Sequence, residues 1–392
     1  MTDEESAGRV QTKREEFKIE DDIPLQGLDY SQVFGRCAEN VVGFVPIPLG
    51  IAGPLLVNGR YHNVPMATTE GCLIASTSRG CKAITRSGGV TARVLRQHMT
   101  RAPVLEFKSL SEAVECRAWL LDTSTWSVLA DAVRGTSKHT SLEKIDANVV
   151  GSMLYVRIAC NCSDAMGMNM TSKAAEVICK CVTTAFPSAK CLSLSSNLCC
   201  DKKSAAINWT DGRGCHVVCE ARIPASVVSD VLKSTPEDMA NVHVYKNLVG
   251  SALAGTVGGN NAHAANVVAA IFAATGQDLA QVGTSSMCLT HLRCDDGDLV
   301  VSCTMPCVEV GVVGGGTHLT AQRGCVRMSG CESSTELACV LVGAVLAAEI
   351  SLIAALQRHH LVSAHMTMNR KPASHETECD ATCDFTARTW VS

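Results

Sequence analysis

Apolar positions change their spacing along this chain, and the changes divide it into elements. From 337 to 356 apolar residues run almost without interruption, broken by Glu349, Ser351 and a few small side chains. A run of that length matches a bilayer crossing. However, Glu349 sits past its middle, and the run is rich in Ala and Gly instead of Leu. Ser333 followed by Glu336 is also a capping box, which starts a helix in water. The pattern therefore predicts a helix over 334–356 buried in a soluble core.

Between 103 and 195 the spacing alternates between strand and helix periods. A short strand is predicted at 104–107. Ser109 and Glu112 form a second capping box ahead of an amphipathic helix ending at Leu121, and 126–133 adds a helical turn or two. Strands at 142–149 and 153–159 are joined at Gly151-Ser152; a long helix follows over 168–186 and a strand over 191–194. That order, βα-ββ-αβ, is the split βαβ arrangement, with one sheet face covered by helices. Farther on, the pattern predicts a strand at 217–223, a helix at 224–233 with Pro224 in its first turn, a helix at 264–274, and strands at 299–303 and 308–312. Residues 39–101 carry turn signals (Pro46, Pro48, Gly50, Gly53, Pro54) and predict a loop-rich entry followed by a helix over 71–87. Residues 1–38 are polar and predict an extension of short helices. The expected fold class is α+β, with the unit at 103–195 inserted into a larger one.

Composition narrows the picture. The chain has 392 residues, 46% hydrophobic and 18% charged, which is globular. Only 4% are aromatic, so the core must be aliphatic and thiol-rich, with helices packed through small side chains. A net charge of −4 without a basic stripe excludes a nucleic-acid partner. The 22 cysteines are irregularly placed (Cys160 and Cys162, Cys179 and Cys181, Cys199 and Cys200). They lack paired C-x-x-C spacing, so no metal site is expected and reduced, buried thiols are. His375, Cys379 and Cys383 lie in a polar tail and do not alter that. The acidic start, Met1-Thr2-Asp3-Glu4-Glu5-Ser6, resembles neither a secretory signal nor an Arg-rich transit peptide. A soluble chain without a membrane anchor is expected, in the cytoplasm or, alternatively, an organelle matrix.

Candidate chemistry is scattered. Neither G-x-G-x-x-G after a strand nor G-x-x-x-x-G-K occurs, so Rossmann and P-loop readings lack support. In Asp164-Ala165-Met166-Gly167-Met168-Asn169, Gly167 would let backbone approach a ligand at a helix start that favours anions; Met at helical spacing is more commonly core. Ser137-Lys138-His139 could hold a phosphate on a nucleotide ribose or be a plain surface loop. Glu70 stands in an uncharged stretch, 64–78, where a carboxyl tends to keep its proton near neutral pH. In Asp201-Lys202-Lys203-Ser204-Ala205-Ala206-Ile207-Asn208-Trp209, a lysine beside a carboxylate can hold negative charge developing on oxygen, although a lone Lys-Lys pair is usually solvated. Asp278 directly follows an apolar helix and needs a partner, for which Lys202 is available. His365, one of 12 histidines, reads by composition as a surface or capping residue.

Together, these segments resemble the catalytic portion of the 3-hydroxy-3-methylglutaryl-coenzyme A (HMG-CoA) reductase family, in its eukaryotic and archaeal class. The resemblance covers about 39–370. It rests on Glu39-Asn40-Val41-Val42-Gly43, Pro65-Met66-Ala67-Thr68-Thr69-Glu70-Gly71-Cys72, the 164–170 and 201–209 segments, Asn247-Leu248-Val249-Gly250-Ser251-Ala252 and Asn261-Ala262-His263-Ala264-Ala265-Asn266. It implies reduction of an acyl-CoA thioester to mevalonate with two NADPH, through mevaldehyde. Glu70, Lys202, Asp278 and His365 match the family's catalytic residues. Arg101, Ser195, Lys203, Lys246 and Asn266 match positions around the hydroxymethylglutaryl group, and His263 a position near coenzyme A. Ser137 and Lys138 match the site of the NADPH 2′-phosphate, where arginine is common in the family and lysine keeps charge but loses the bidentate fork. Asp164, Met166, Gly167, Met168 and Asn169 match the nicotinamide-side loop.

The resemblance further implies a large domain (39–102 with 205–370) around a long central helix, an inserted ferredoxin-like βαββαβ domain at 103–195 that binds the cofactor, and a connecting catalytic loop at 196–204. A helical extension (1–38) and a flexible tail (371–392) flank them. Active sites would be shared in a homodimer, and the 39–43 motif would join dimers into a homotetramer. Asn369-Arg370 is followed by Lys371 where regulated members carry a phosphorylatable serine, so that control is not expected. The rivals are a CoA-thioester lyase on the same fold and a non-catalytic CoA- or nucleotide-binding relative; retention of the whole acid, base and lysine set argues against both.

Overall fold

In a computed structural model of the chain, which describes residues 3–19 and 22–357, the long apolar run folds as the helix Ser334–Gln357. Ser333 Oγ accepts the Glu336 N–H at 3.1 Å, so the capping box starts it as expected. It is long and apolar enough to cross a membrane, but 94% of its apolar window is buried inside the molecule. This central helix packs on a sheet along one side and on the helices Leu73–Arg86 and Ala264–Thr275 along others. The low aromatic content explains how closely. At Gly80, a Cβ would fall 1.8 Å from the Ala347 carbonyl oxygen, so the two helices touch backbone to backbone.

Eleven strands are described: β1 (Leu49–Val57), β2 (Arg60–Ala67), β3 (Thr91–Arg101), β4 (Val104–Glu106), β5 (Ser141–Val150), β6 (Met153–Asn161), β7 (Lys190–Ser193), β8 (Gly214–Ile223), β9 (Gly259–Asn260), β10 (Cys288–Asp295) and β11 (Asp298–Val308). β1 and β2 form a separate antiparallel hairpin, and the other nine make one sheet in the order β7-β4-β6-β3-β8-β11-β10-β9, with β5 on the far side of β6. β3 belongs to both halves. Its first residues pair with β8 (Thr91 opposite Glu220), and its last pair with β6 (Arg101 opposite Ile158). Arg101 thus stands at the seam between two apolar clusters, one around the central helix and one under the helices Leu110–Leu121, Thr123–Arg134 and Met168–Ala185.

The unit at 103–195 contains the predicted elements, with 123–134 a full helix where a turn or two was expected. Residues 39–101 depart from expectation, because a loop-rich entry and one helix leave out all three strands there. Of the glycines and prolines that suggest a loop, Gly53 and Pro54 sit at an irregularity in β1, where the register shifts between Ala52 and Leu55 and spares Pro54 a ladder bond. Asn58 and Gly59, at φ 50° and 83°, make the β1–β2 turn, and Asn-Gly is a strong short-range hairpin signal. Residues 3–17 form one fifteen-residue helix instead of short ones. In place of the separate strands predicted at 299–303 and 308–312 there is one strand, β11, which ends at Val308. Beyond it the chain turns inward because Glu309 is drawn to Arg213 and Gly311 lies against the 165–166 backbone. The helices Pro236–His243 and Thr320–Ser329 were not anticipated, although Thr235-Pro236-Glu237-Asp238 is a helix start: Thr235 Oγ1 accepts the Asp238 N–H at 3.1 Å.

Candidate active site

Glu70 follows β2 in the turn before the helix Leu73–Arg86, where its N–H is held by Thr68 Oγ1 at 3.0 Å. Asn266, in the first turn of the helix Ala264–Thr275, donates from Nδ2 to Glu70 Oε2 at 2.8 Å. The fold thus joins two predicted site residues that lie on separate elements. The uncharged flanks of Glu70 do not enclose it, for it is exposed in the single chain.

Asp201 is half-buried while Lys202, in the left-handed backbone conformation (φ 62°), is exposed. Among the described residues Lys202 forms no ion pair within the chain. Asp278, the partner offered by the sequence, instead caps the turn Leu279–Gln281 by accepting the Ala280 N–H at 3.0 Å. The inward Asp201 takes the ion pairs. Its Oδ1 accepts from Gln281 Nε2 at 3.0 Å and is ion-paired with Arg213 Nη2 at 3.0 Å, and its Oδ2 lies 3.6 Å from Arg101 Nη1. Gln281 ends the turn that Asp278 caps, so the Asp278 turn and Arg101 are tied to one carboxylate, next in the chain to Lys202.

Beneath this lies a fully buried ion pair of Arg213 and Glu309, with Gln281 Oε1 3.2 Å from Arg213 Nη1. Burial pushes the Glu309 carboxyl up to about 7; Arg213 opposes the shift, and Asp201 and Asp278 add to it. Burial also works against the charge on Arg213, yet Glu309 and Asp201 outweigh it and raise the arginine. The two partners respond differently because one cation serves two carboxylates. For Glu309 the upward direction stands, since it is wholly desolvated and its Oε1 has no hydrogen-bond partner among the described residues.

Arg101 Nε donates to Ser172 Oγ at 2.9 Å, fastening the seam to the helix Met168–Ala185. Lys203 Nζ reaches the Asp201 carbonyl (3.2 Å) and Asn197 Oδ1 (3.5 Å), while Ser195 Oγ lies 3.3 Å from Cys199 Sγ. Lys246 is exposed on the widened helical turn Val244–Gly250 and, among the described residues, makes no contact with this group. His263, half-buried, begins the helix that carries Asn266. His365 lies outside the described residues.

The 164–169 segment is built into the larger unit. Asp164 Oδ1 accepts the Ser334 N–H (2.9 Å) at the start of the central helix, and its carbonyl accepts the Val312 N–H (2.9 Å). Its carboxylate therefore serves first as a helix cap. Gly167, at φ 96°, has no room for a side chain, since a Cβ would lie 2.5 Å from Cys162 Sγ. Met168 Sδ lies 2.8 Å from Arg213 Nη2, Met166 packs on the smaller cluster and Asn169 is exposed. Ser163 Oγ donates to the His139 carbonyl at 3.4 Å, which lays Ser137 and the exposed Lys138 beside this helix start. A cation next to a helix N-terminus suits a phosphate.

Arg213, Gln281 and Glu309 were not anticipated. Their signals were present: Arg213 stands between two glycines, and Glu309 is a lone charge in Val308-Glu309-Val310-Gly311-Val312.

The continuous mixed sheet crossed by a buried helix defines a class of fold found in solved reductases. The chain is similar to a class II HMG-CoA reductase of Streptococcus pneumoniae described as bound to NADPH, with a TM-score of 0.67 and 20% identity over 89% of this chain and 96% of that one. The family itself is defined by sequence. The model for hydroxymethylglutaryl-coenzyme A reductase matches residues 7–370, and the chain belongs to that family of oxidoreductases. It is 47% identical over 359 residues to 3-hydroxy-3-methylglutaryl-coenzyme A reductase 1 of Dictyostelium discoideum (89% of this chain, 65% of the relative). It is 48% identical over 360 residues to the reductase of Xenopus laevis (89% and 41%). The chain thus spans between about two fifths and two thirds of the length of these relatives.

Proposed function

We propose that the chain reduces (S)-HMG-CoA to (R)-mevalonate and coenzyme A through mevaldehyde, using two NADPH and two protons per turnover, in the mevalonate pathway of isoprenoid and sterol biosynthesis. The observation that carries this reading is the convergence of Arg101 and the Asp278 turn on Asp201, the chain neighbour of Lys202, with Glu70 held by Asn266. When bound, NADPH supplies hydride, and the exposed Lys138 beside the 168–185 helix start suits its phosphates.

Lys202 neutralises the oxygen of the thioester carbonyl as it becomes an alkoxide. The departing thiolate takes a proton from His365. Glu70 delivers a proton to the oxygen of mevaldehyde as it becomes the alcohol. Asp278 tunes Lys202 and Glu70. Arg101 and Lys246 pair with the free carboxylate of the acyl group, and Ser195, Lys203 and Asn266 complete its polar surroundings.

The same reading assigns 103–195 to a ferredoxin-like cofactor domain, supported by its β7-β4-β6-β5 order and its own apolar cluster. It also pairs two chains about shared sites. The exposed Val244, Tyr245, Val249, Leu253 and Val257 flank Lys246 and favour a second copy there, where it would bring Lys246 and Lys202 into a common pocket.

The test follows NADPH absorbance with the acyl-CoA present. Two NADPH should be consumed per thioester. Lys202→Ala should lose roughly a hundredfold or more in kcat, the scale of a lost oxyanion contact. No consumption by the unaltered chain would reject the reductase reading; steady turnover in the variant would reject the role of Lys202. His365→Gln should slow thioester reduction and leave mevaldehyde reduction largely intact.

A further inference from the structure

Glu349 is the only acidic or basic residue between 337 and 356, and the steps above leave it unused. Its side chain is fully buried, yet four donors surround it. Oε2 accepts the Ala262 N–H at 2.7 Å and the Thr290 hydroxyl at 2.9 Å. Oε1 accepts the His263 N–H at 2.8 Å and lies 3.1 Å from His263 Nδ1. Burial acts to raise its pKa, but the His263 contacts and the backbone donors outweigh it and hold the carboxyl below its ordinary value. It is therefore ionised at neutral pH, and an ionised carboxylate only accepts. The ring contact then requires a proton on Nδ1. In a neutral imidazole with Nδ1–H, Nε2 carries a lone pair.

We infer that Glu349 is a positioning residue that holds His263 in the Nδ1–H tautomer, so that Nε2 is presented as an acceptor to the coenzyme A arm of the substrate. The chemical groups that Nε2 can meet there are amide N–H donors of a pantetheine chain or its thiol. The inference rests on the acyl-CoA reading above. It gives the central helix a task besides packing: one carboxylate fixes both the backbone and the ring at the start of the helix Ala264–Thr275.

The test is nitrogen NMR of the full chain labelled with 15N-histidine, with the His263 signals assigned by their loss in His263→Asn. At pH 8 the ring should show a protonated Nδ1 and an unprotonated Nε2. A proton on Nε2, or an even mixture of tautomers, would overturn the inference, and this measurement needs neither activity nor a variant of Glu349. In Glu349→Gln, kcat/KM for the acyl-CoA should fall roughly tenfold or more, mainly through KM, the scale of one hydrogen bond to a charged group. Reduction of mevaldehyde, which lacks coenzyme A, should change by less than roughly threefold. Equal losses on both substrates would also overturn it. A wild-type chain that oxidises no NADPH would sink the reductase reading alone, because the tautomer is decided separately.

Discussion

Two buried glutamates underlie the site, and they behave oppositely. Glu309 lies beneath the Lys202 loop and Glu349 beneath the His263 turn, and both are almost wholly removed from water. Glu309 shares one arginine with Asp201, leaves an oxygen without a partner, and is pushed up to about 7 chiefly by burial. Glu349 has no arginine, but each of its oxygens accepts two donors, and its pKa is lowered. Desolvation is the largest influence on both. The number of hydrogen bonds to the charged form decides which way each moves, and one strong ion pair does not replace four aimed dipoles.

The difference can be broken or sharpened by experiment. The largest effect is expected from Arg213→Met, which strips Glu309 of its ion-pair partner among the described residues and leaves Asp201 with Arg101 alone. Stability at pH 7.5, read from urea melts, should fall by about 3–5 kcal/mol, the cost of leaving a buried charge unpaired. A loss below about 1 kcal/mol would mean that the pair adds nothing net. Glu349→Gln comes next, at about 2–3 kcal/mol near neutrality. Because the folded pKa of Glu349 is lowered, its contribution is present above the ordinary glutamate range and lost as pH falls through the folded value. The cost of this substitution should therefore shrink in acid.

Glu309→Gln should have the opposite sign. A raised folded pKa means that the native state binds the extra proton, so stability is full below about 4.5 and declines as pH rises toward 7. The glutamine removes that decline, and the variant should equal the parent near pH 4 and exceed it by about 2–3 kcal/mol above pH 7. A parallel pH profile in the two proteins would refute the shift. The smallest effect is reserved for Ser333→Ala, which removes one of the two side-chain caps of the central helix and leaves that of Asp164. It should cost about 1 kcal/mol at any pH, since no titrating group is lost.

The legible parts of the fold were those set by near neighbours. Both capping boxes, the central helix and the alternation across 103–195 depend on residues a few positions apart, and each appears in the structure where spacing placed it. The β1–β2 hairpin shows a signal outvoted by others: Asn58-Gly59 was present, but Gly53 and Pro54 speak for a loop unless the irregularity in β1 is known. The strand predicted at 308–312 fails for a different reason. Its alternation is correct, but a buried arginine ninety-six positions away claims Glu309 and turns the chain inward.

The candidate site divides the same way. Residue types and order in the motifs determined the family, and with it which acids, lysines and histidines to examine. Only the tertiary structure decided their partners: that Asp201 and not Lys202 takes the ion pairs, that Asp164 caps the central helix, and that Glu349 reaches His263. Capping and periodicity are free energies of short range, written in adjacent residues. The charge state and orientation of a buried group are set by whatever the fold brings within about 4 Å, where low dielectric magnifies every contact, and those neighbours lie far apart in the chain.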